Sequence, residues 1–163
     1  LPTEWVDRDD RIAGQCAAGP VADGEEVARY LNPEIWDGQS LKTSAFEKKN
    51  LLPPTHRPIR NEAGERDGES FIRRGGRSDA ELLARANAQR PMDSLGAVVG
   101  IAGQIRSIVA PDKPDVQVFF IYEDPTVDDP LHAVIRYTDD DIHRSFFNQA
   151  RRALISLLNQ RKL

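Results

Sequence analysis

The chain has 163 residues, enough for a self-sufficient core in one domain of common size. Its formal net charge of −4 argues against a dedicated nucleic-acid binder, and no apolar run approaches the ~18 residues that a membrane span needs. Apolar residues are 39% and charged residues 29%, which assigns part of the length to solvated loop.

Residues 1–77 hold most of the Pro and Gly and show no sustained apolar period. Leu1–Asp10 lacks a basic stretch and an apolar stretch, so no signal peptide is expected. Trp5 can dock as an anchor for an irregular arm. The single cysteine, Cys16, cannot form an internal disulfide, which fits a reducing, cytoplasmic compartment. Nothing near it in sequence lowers a thiol pKa, so it reads as an inert small residue. Glu26–Leu31 fits a short strand or a turn or two of helix, ended by Asn32-Pro33. Asp37-Gly38 is a turn dipeptide. Ser44-Ala45-Phe46-Glu47 matches a capping box, but Pro53-Pro54 stops any helix within two turns. Pro53 to Gly76 reads as a binding loop or a solvated linker, broken only by a short strand at Ser70-Phe71-Ile72.

Downstream the signals strengthen. Ser78 caps a helix over about 79–89, with Glu81 reaching back, Leu82, Leu83 and Ala86 at helical spacing, and Pro91 beyond its end. Leu95–Ile101 and Gln104–Val109 are β-rich runs joined near Ala102-Gly103, as a hairpin or one bulged strand. Asp112–Asp115 is a turn and Val116–Tyr122 the strongest strand. Glu123–Pro130 is an acidic loop. In the strand His132–Tyr137, alternation puts Ala133, Ile135 and Tyr137 on one face and His132, Val134 and Arg136 on the other. Thr138 and Asp139–Asp141 open a helix over 139–160. Its apolar stripe is Ile142, Phe146, Ala150, Ala153 and Leu157, widened by Leu154 and Leu158.

These elements predict a single α+β domain over 1–163. A mainly antiparallel sheet from Leu95 to Tyr137, joined by Phe71-Ile72, packs against helices 79–89 and 139–160. Residues 78–163 form the sheet-and-helix core and residues 1–77 a loop-rich arm.

Chemistry-bearing residues are sparse. His56, His132 and His143 show no metal-ligand spacing with each other or with Cys16, so no metal is expected. His132 follows the acidic loop, where a carboxylate can orient its imidazole as a general base; the plainer alternative is a strand-end histidine bonded to backbone. Arg73, Arg74 and Arg77, around Gly75-Gly76, can bind a phosphate or an acidic partner, or simply form a basic turn before Ser78. They are not a P-loop. Arg144 and Arg151 share one side of the last helix, flanked by Arg152, as a stripe that meets nucleic acid or an acidic partner or as solvated charges. No serine lies in G-x-S-x-G; after Gly68-Glu69-Ser70, Ile72 stands where the second glycine belongs. Arg29, Ser44 and His132 form a nucleotide-handling site only if the fold gathers them.

The first functional reading is a non-catalytic cytoplasmic protein, without cofactor, that binds another protein through its Pro/Gly-rich loops. Nucleic acid and membrane are disfavoured as partners. The alternative is a small enzyme acting on a nucleotide or nucleic acid through Arg29, His132 and the Arg73-Arg74-Arg77 turn; a pocket gathering those residues would favour it. A third reading is a subunit of an assembly, docking through an apolar patch around Trp5, Trp36 and Phe147.

Overall fold

Short alternating runs supply the strands, and two capped or amphipathic stretches supply the long helices. The computed structural model describes residues 19–47, 51, 69–110, 113–125, 129–137 and 144–163. In chain order these give β1 (Glu26–Tyr30), a 3-10 turn (Thr43–Phe46), β2 (Glu69–Arg73) and α1 (Asp79–Gln89). There follow β3 (Ala97–Ile101), α2 (Ala102–Arg106), β4 (Val109–Ala110), β5 (Lys113–Gln117), β6 (Phe119–Glu123), β7 (His132–Tyr137) and α3 (Arg144–Asn159). Five strands make one sheet in the order β3-β1-β2-β7-β6, with every neighbouring pair antiparallel. Strands β4 and β5 pair separately as a ribbon. The α+β class expected from the sequence is what the structure has.

The sheet is not confined to the downstream half. β1 and β2 lie second and third across it and join β3 on one side to β7 and β6 on the other. The picture of 1–77 as an arm on a core formed by 78–163 is therefore corrected. Register explains why the upstream strands carry no sustained apolar period. Val27 pairs with Arg73 and Phe71 with Ala133, so Val27, Arg29, Glu69, Phe71 and Arg73 all project to the main core side. Charged residues at core-facing positions erase the apolar alternation. Each is neutralised there: Arg29 Nη2 lies 2.9 Å from Glu69 Oε2, and Arg73 Nε lies 2.8 Å from Glu25 Oε1. Arg73 also donates to the carbonyls of Gly19 and Pro20. Buried charge is tolerated only with such pairing.

Helix α3 covers this side of the sheet with Phe147, Ala150, Leu154 and Leu158, all at most 1% exposed. Its stripe is rotated from the expected one: Ala153 is exposed and Phe146 and Leu157 only half-buried. The Phe147 ring meets Tyr137 of β7 edge-on at 4.9 Å and sets that rotation. Helix α1 covers the opposite face of β3 and β1, where Ala28, Ala86, Ala97 and Val99 form a small-residue contact that lets helix and sheet approach closely. Ser78 accepts a 3.1 Å bond from the Glu81 N–H and starts this helix where expected.

Three further expectations are corrected. Gln104–Val109 is not a strand: its first residues complete α2, which turns so that Arg106 can bury. That guanidinium reaches Asp23 Oδ1 at 2.9 Å and the carbonyls of Val21 and Ile121 at 2.6 and 3.0 Å. Gly103 permits the turn, because a Cβ there would lie 2.8 Å from the Asp23 carbonyl oxygen. Val116–Tyr122 is two strands in two sheets, broken at Val118, and Lys113–Asp115 is strand rather than turn. Ser44 does not cap; its hydroxyl donates to the Glu34 carbonyl. Trp5, Cys16, His56, Thr138, Asp139–Asp141, Ile142 and His143 lie outside the described residues, as does Pro53–Gly68.

Candidate active site

On the second face of β1, β2 and β7, beyond the end of α1, a cleft of about 290 Å³ opens. Because Ser70 pairs with Val134 and Ile72 with His132, Ser70 and His132 are diagonal neighbours on that face. His132 Nε2 lies 3.1 Å from Ser70 Oγ, and both residues line the cleft. Behind the ring, Nδ1 lies 2.9 Å from the Asp124 carbonyl oxygen and 3.3 Å from Asp124 Oδ2. Asp124 is held at the end of β6 by its own N–H, which donates to the His132 carbonyl at 2.9 Å.

This surrounding decides the tautomer. Nδ1 faces two acceptors, so in the neutral ring it carries the proton and leaves Nε2 to accept from the Ser70 hydroxyl. Ser70 is exposed, while Asp124 is 3% exposed. Burial pushes the His132 pKa down, but the carboxylate and carbonyl of Asp124 outweigh it and hold the imidazole above its usual value. A hydroxyl, a ring nitrogen facing it and a buried carboxylate behind the ring form the nucleophile–base–orienter arrangement of covalent catalysis.

The structure redistributes the residues singled out from the sequence. Arg29 and His132 both line the cleft, and Ser44 does not. The Arg29 guanidinium sits on the other side of the sheet, 5.9 Å from the Phe46 ring, and donates to the Ser70 carbonyl at 3.0 Å. Burial lowers the Arg29 pKa, and Glu69 opposes that shift. Arg29 thus holds the strand at Ser70 in place.

Arg73, Arg74 and Arg77 do not line the cleft; each is engaged internally. Arg73 pairs with Glu25, Arg74 with Glu26 and Asp79, and Arg77 with Asp129 at 2.8 Å. Arg85 of α1 joins Asp129 at 3.0 Å. The Asp129 network ties α1 to the turn before it and to the loop leading into β7, two residues from Leu131-His132. Asp124 and Asp129 of the acidic loop are both buried, Asp129 in this network and Asp124 against His132.

On α3, Arg151 lies over the Phe147 ring at 5.3 Å and Arg152 is exposed; the Arg144 side chain is outside the described set. Trp36 and Phe147, expected in an exposed patch, are 7% and 1% exposed and belong to the core. No group of three or more His, Cys, Asp or Glu side chains suited to a metal lies among the described residues.

Ser70 is the residue that sequence reasoning passed over. It lies in no nucleophile motif, and only strand register brings it to His132. No protein-family model matches the chain, and no curated protein or solved structure matches it either.

Proposed function

We propose that the protein is a small serine-dependent acyl hydrolase or transferase working in this cleft. The observation that carries the reading is the chain of contacts from Ser70 Oγ through His132 to buried Asp124, open to solvent at the serine end. In the reaction, Ser70 Oγ attacks an acyl carbon while His132 Nε2 takes its proton. Asp124 steadies the imidazolium, which returns the proton to the leaving group as that bond breaks. Water or an acceptor alcohol then reverses these steps and frees Ser70. Ligand pockets usually span ~300–1,000 Å³, so a cleft of about 290 Å³ suits a small acyl group better than a polymer.

A nucleotide substrate has less support, since the Arg73-Arg74-Arg77 turn is occupied by internal carboxylates. The protein-binding reading rests on the Pro/Gly-rich loops and has no comparable constellation behind it. A cytoplasmic setting, read from the lone cysteine, belongs to the proposal. Among the described residues no helix is long and apolar enough to cross a membrane.

The test is labelling with a fluorophosphonate, which traps an activated serine. The wild-type chain should be labelled, with the adduct mapping to the peptide containing Ser70. Ser70→Ala should abolish labelling, and His132→Ala should slow it by about 10²-fold or more. The rate should climb as pH rises through the His132 pKa, because only the neutral ring accepts the proton. Equal labelling of wild type and Ser70→Ala, or none at all, would refute the reading and return weight to a protein partner.

A further inference from the structure

The side chains lining the cleft carry a charge bias opposite to that of the whole chain. Arg90 and His132 contribute to its wall, Arg29 lines it while its guanidinium sits on the other side of the sheet, and none of the described residues lining it is an aspartate or glutamate, although acidic residues outnumber basic ones 26 to 22 overall. The three basic groups are not equivalent. Arg29 is matched by Glu69 on the far side of the sheet, and His132 is backed by Asp124. Arg90, the residue that ends α1, is exposed, and its guanidinium has no hydrogen bond or ion pair among the described residues. The other arginines that hold this region together are all engaged: Arg74 with Glu26 and Asp79, and Arg77 and Arg85 with Asp129.

The backbone at Arg90 is held in place. Its carbonyl accepts from the N–H groups of Asp93 and Ser94, closing the turn after α1. Ser94 takes a left-handed conformation there (φ 47°), and its hydroxyl donates to the Pro91 carbonyl. Gln89 and Asn32 line the same cleft. Asn32 Oδ1 is already taken by the Glu34 N–H, which leaves its NH₂ group as the available donor. A guanidinium unpaired among the described residues, flanked by amide donors in a cleft whose described lining holds no carboxylate, is a receptor for an oxyanion.

Resting on the cleft as the working site, we infer that its ligands carry a terminal oxyanion, carboxylate or phosphate, which Arg90 binds. The oxyanion end is held at the α1 side of the cleft while the other end lies over β2 and β7 at Ser70 and His132. The ligand class is a small acid or its ester.

Calorimetric titration of the full chain with succinate, butyl phosphate and the neutral succinamide tests this. Succinate or butyl phosphate should bind at least about tenfold more tightly than succinamide, the discrimination expected from one charge-assisted hydrogen-bonded contact. The preferred one of the two identifies the oxyanion. Arg90→Gln should remove that preference, and Arg90→Lys should restore part of it. Ser70→Ala, expected to abolish labelling, should keep it, so loss of anion preference and loss of the nucleophile are read on separate variants. Equal binding of acid and amide, undetectable binding of both anions at about 10 mM, or an unchanged preference in Arg90→Gln would each overturn the inference.

Discussion

Replacing Asp129 by Asn tests the network that holds the cleft wall to the sheet. Asp129 Oδ1 accepts from Arg77 Nη2 and from the Leu131 N–H, both at 2.8 Å, and Oδ2 accepts from Arg77 Nη1 and Arg85 Nη2, both at 3.0 Å. Asparagine keeps one acceptor, which can still serve Leu131, but turns an NH₂ donor toward two guanidinium donors. Hydrogen bonds to charged groups contribute ~1.5–3 kcal/mol each. The Arg85 contact counts for less, because that side chain is 42% exposed and screened by solvent. Arg77, 15% exposed, is left without its counter-charge. The expected loss is about 3 kcal/mol at neutral pH, a large fraction of the ~5–15 kcal/mol that stabilises a typical domain.

The pH dependence carries a sign as well. Burial pushes the Asp129 pKa up, but the Arg77 bond, the Leu131 N–H and the two arginine charges outweigh it and hold the carboxyl below its usual 3.8. A depressed folded-state pKa means that the stabilisation is fully present above the unfolded value of ~3.9 and is lost as pH falls through the folded value. Urea unfolding of wild type and Asp129→Asn, measured from pH 7 down to pH 2, should therefore show a gap that narrows at the acid end. A gap below about 1 kcal/mol at pH 7, or one that stays constant into acid, would refute the reasoning.

Other perturbations follow from the same contacts. Asp124→Asn removes the main group raising the His132 pKa, so an NMR titration of that ring should move to lower pH. Because a raised histidine pKa stabilises the fold below the unfolded value of ~6.5 and that contribution fades as pH rises through the folded value, the variant should also lose stability selectively on the acid side. Gly96→Ala should destabilise by about 2 kcal/mol or more in thermal or urea unfolding: Gly96 has φ +83°, and a Cβ there would lie 2.8 Å from the Leu163 carbonyl oxygen and 3.1 Å from Leu83. A fragment of residues 78–163 should show no cooperative unfolding transition, since β1 and β2 join β3 to β7; a cooperative fragment would contradict the central placement of those strands.

Local chemistry made some of this legible in the sequence. The bounds of α1 follow from a serine cap, and the two faces of β7 follow from alternation: Ala133, Ile135 and Tyr137 all lie in the main core. Reading failed where a long-range contact reversed a local preference. The run through Ile105 and Ile108 has strand composition, yet Arg106 buries by turning helical against Asp23, Val21 and Ile121. The strands EVARY and ESFIR show only short, weak strand signals in sequence, and nothing there places them inside the sheet, because arginine and glutamate occupy core-facing positions. Their partners, Glu69 for Arg29 and Glu25 for Arg73, are about forty or more residues away in sequence.

Sequence alone determined the α+β class, the capped helix, the strand that carries His132 and the presence of a carboxylate near enough to orient it. Each follows from periodicity or from neighbours a few residues apart. Tertiary structure alone decided that Ser70 meets His132, that Arg73, Arg74 and Arg77 face internal carboxylates, and that Arg90 stands at the cleft unpaired among the described residues. The physical reason is that strand register and helix docking fix distances between residues that local sequence leaves independent, and a shift of one residue would turn Ser70 to the opposite face of the sheet.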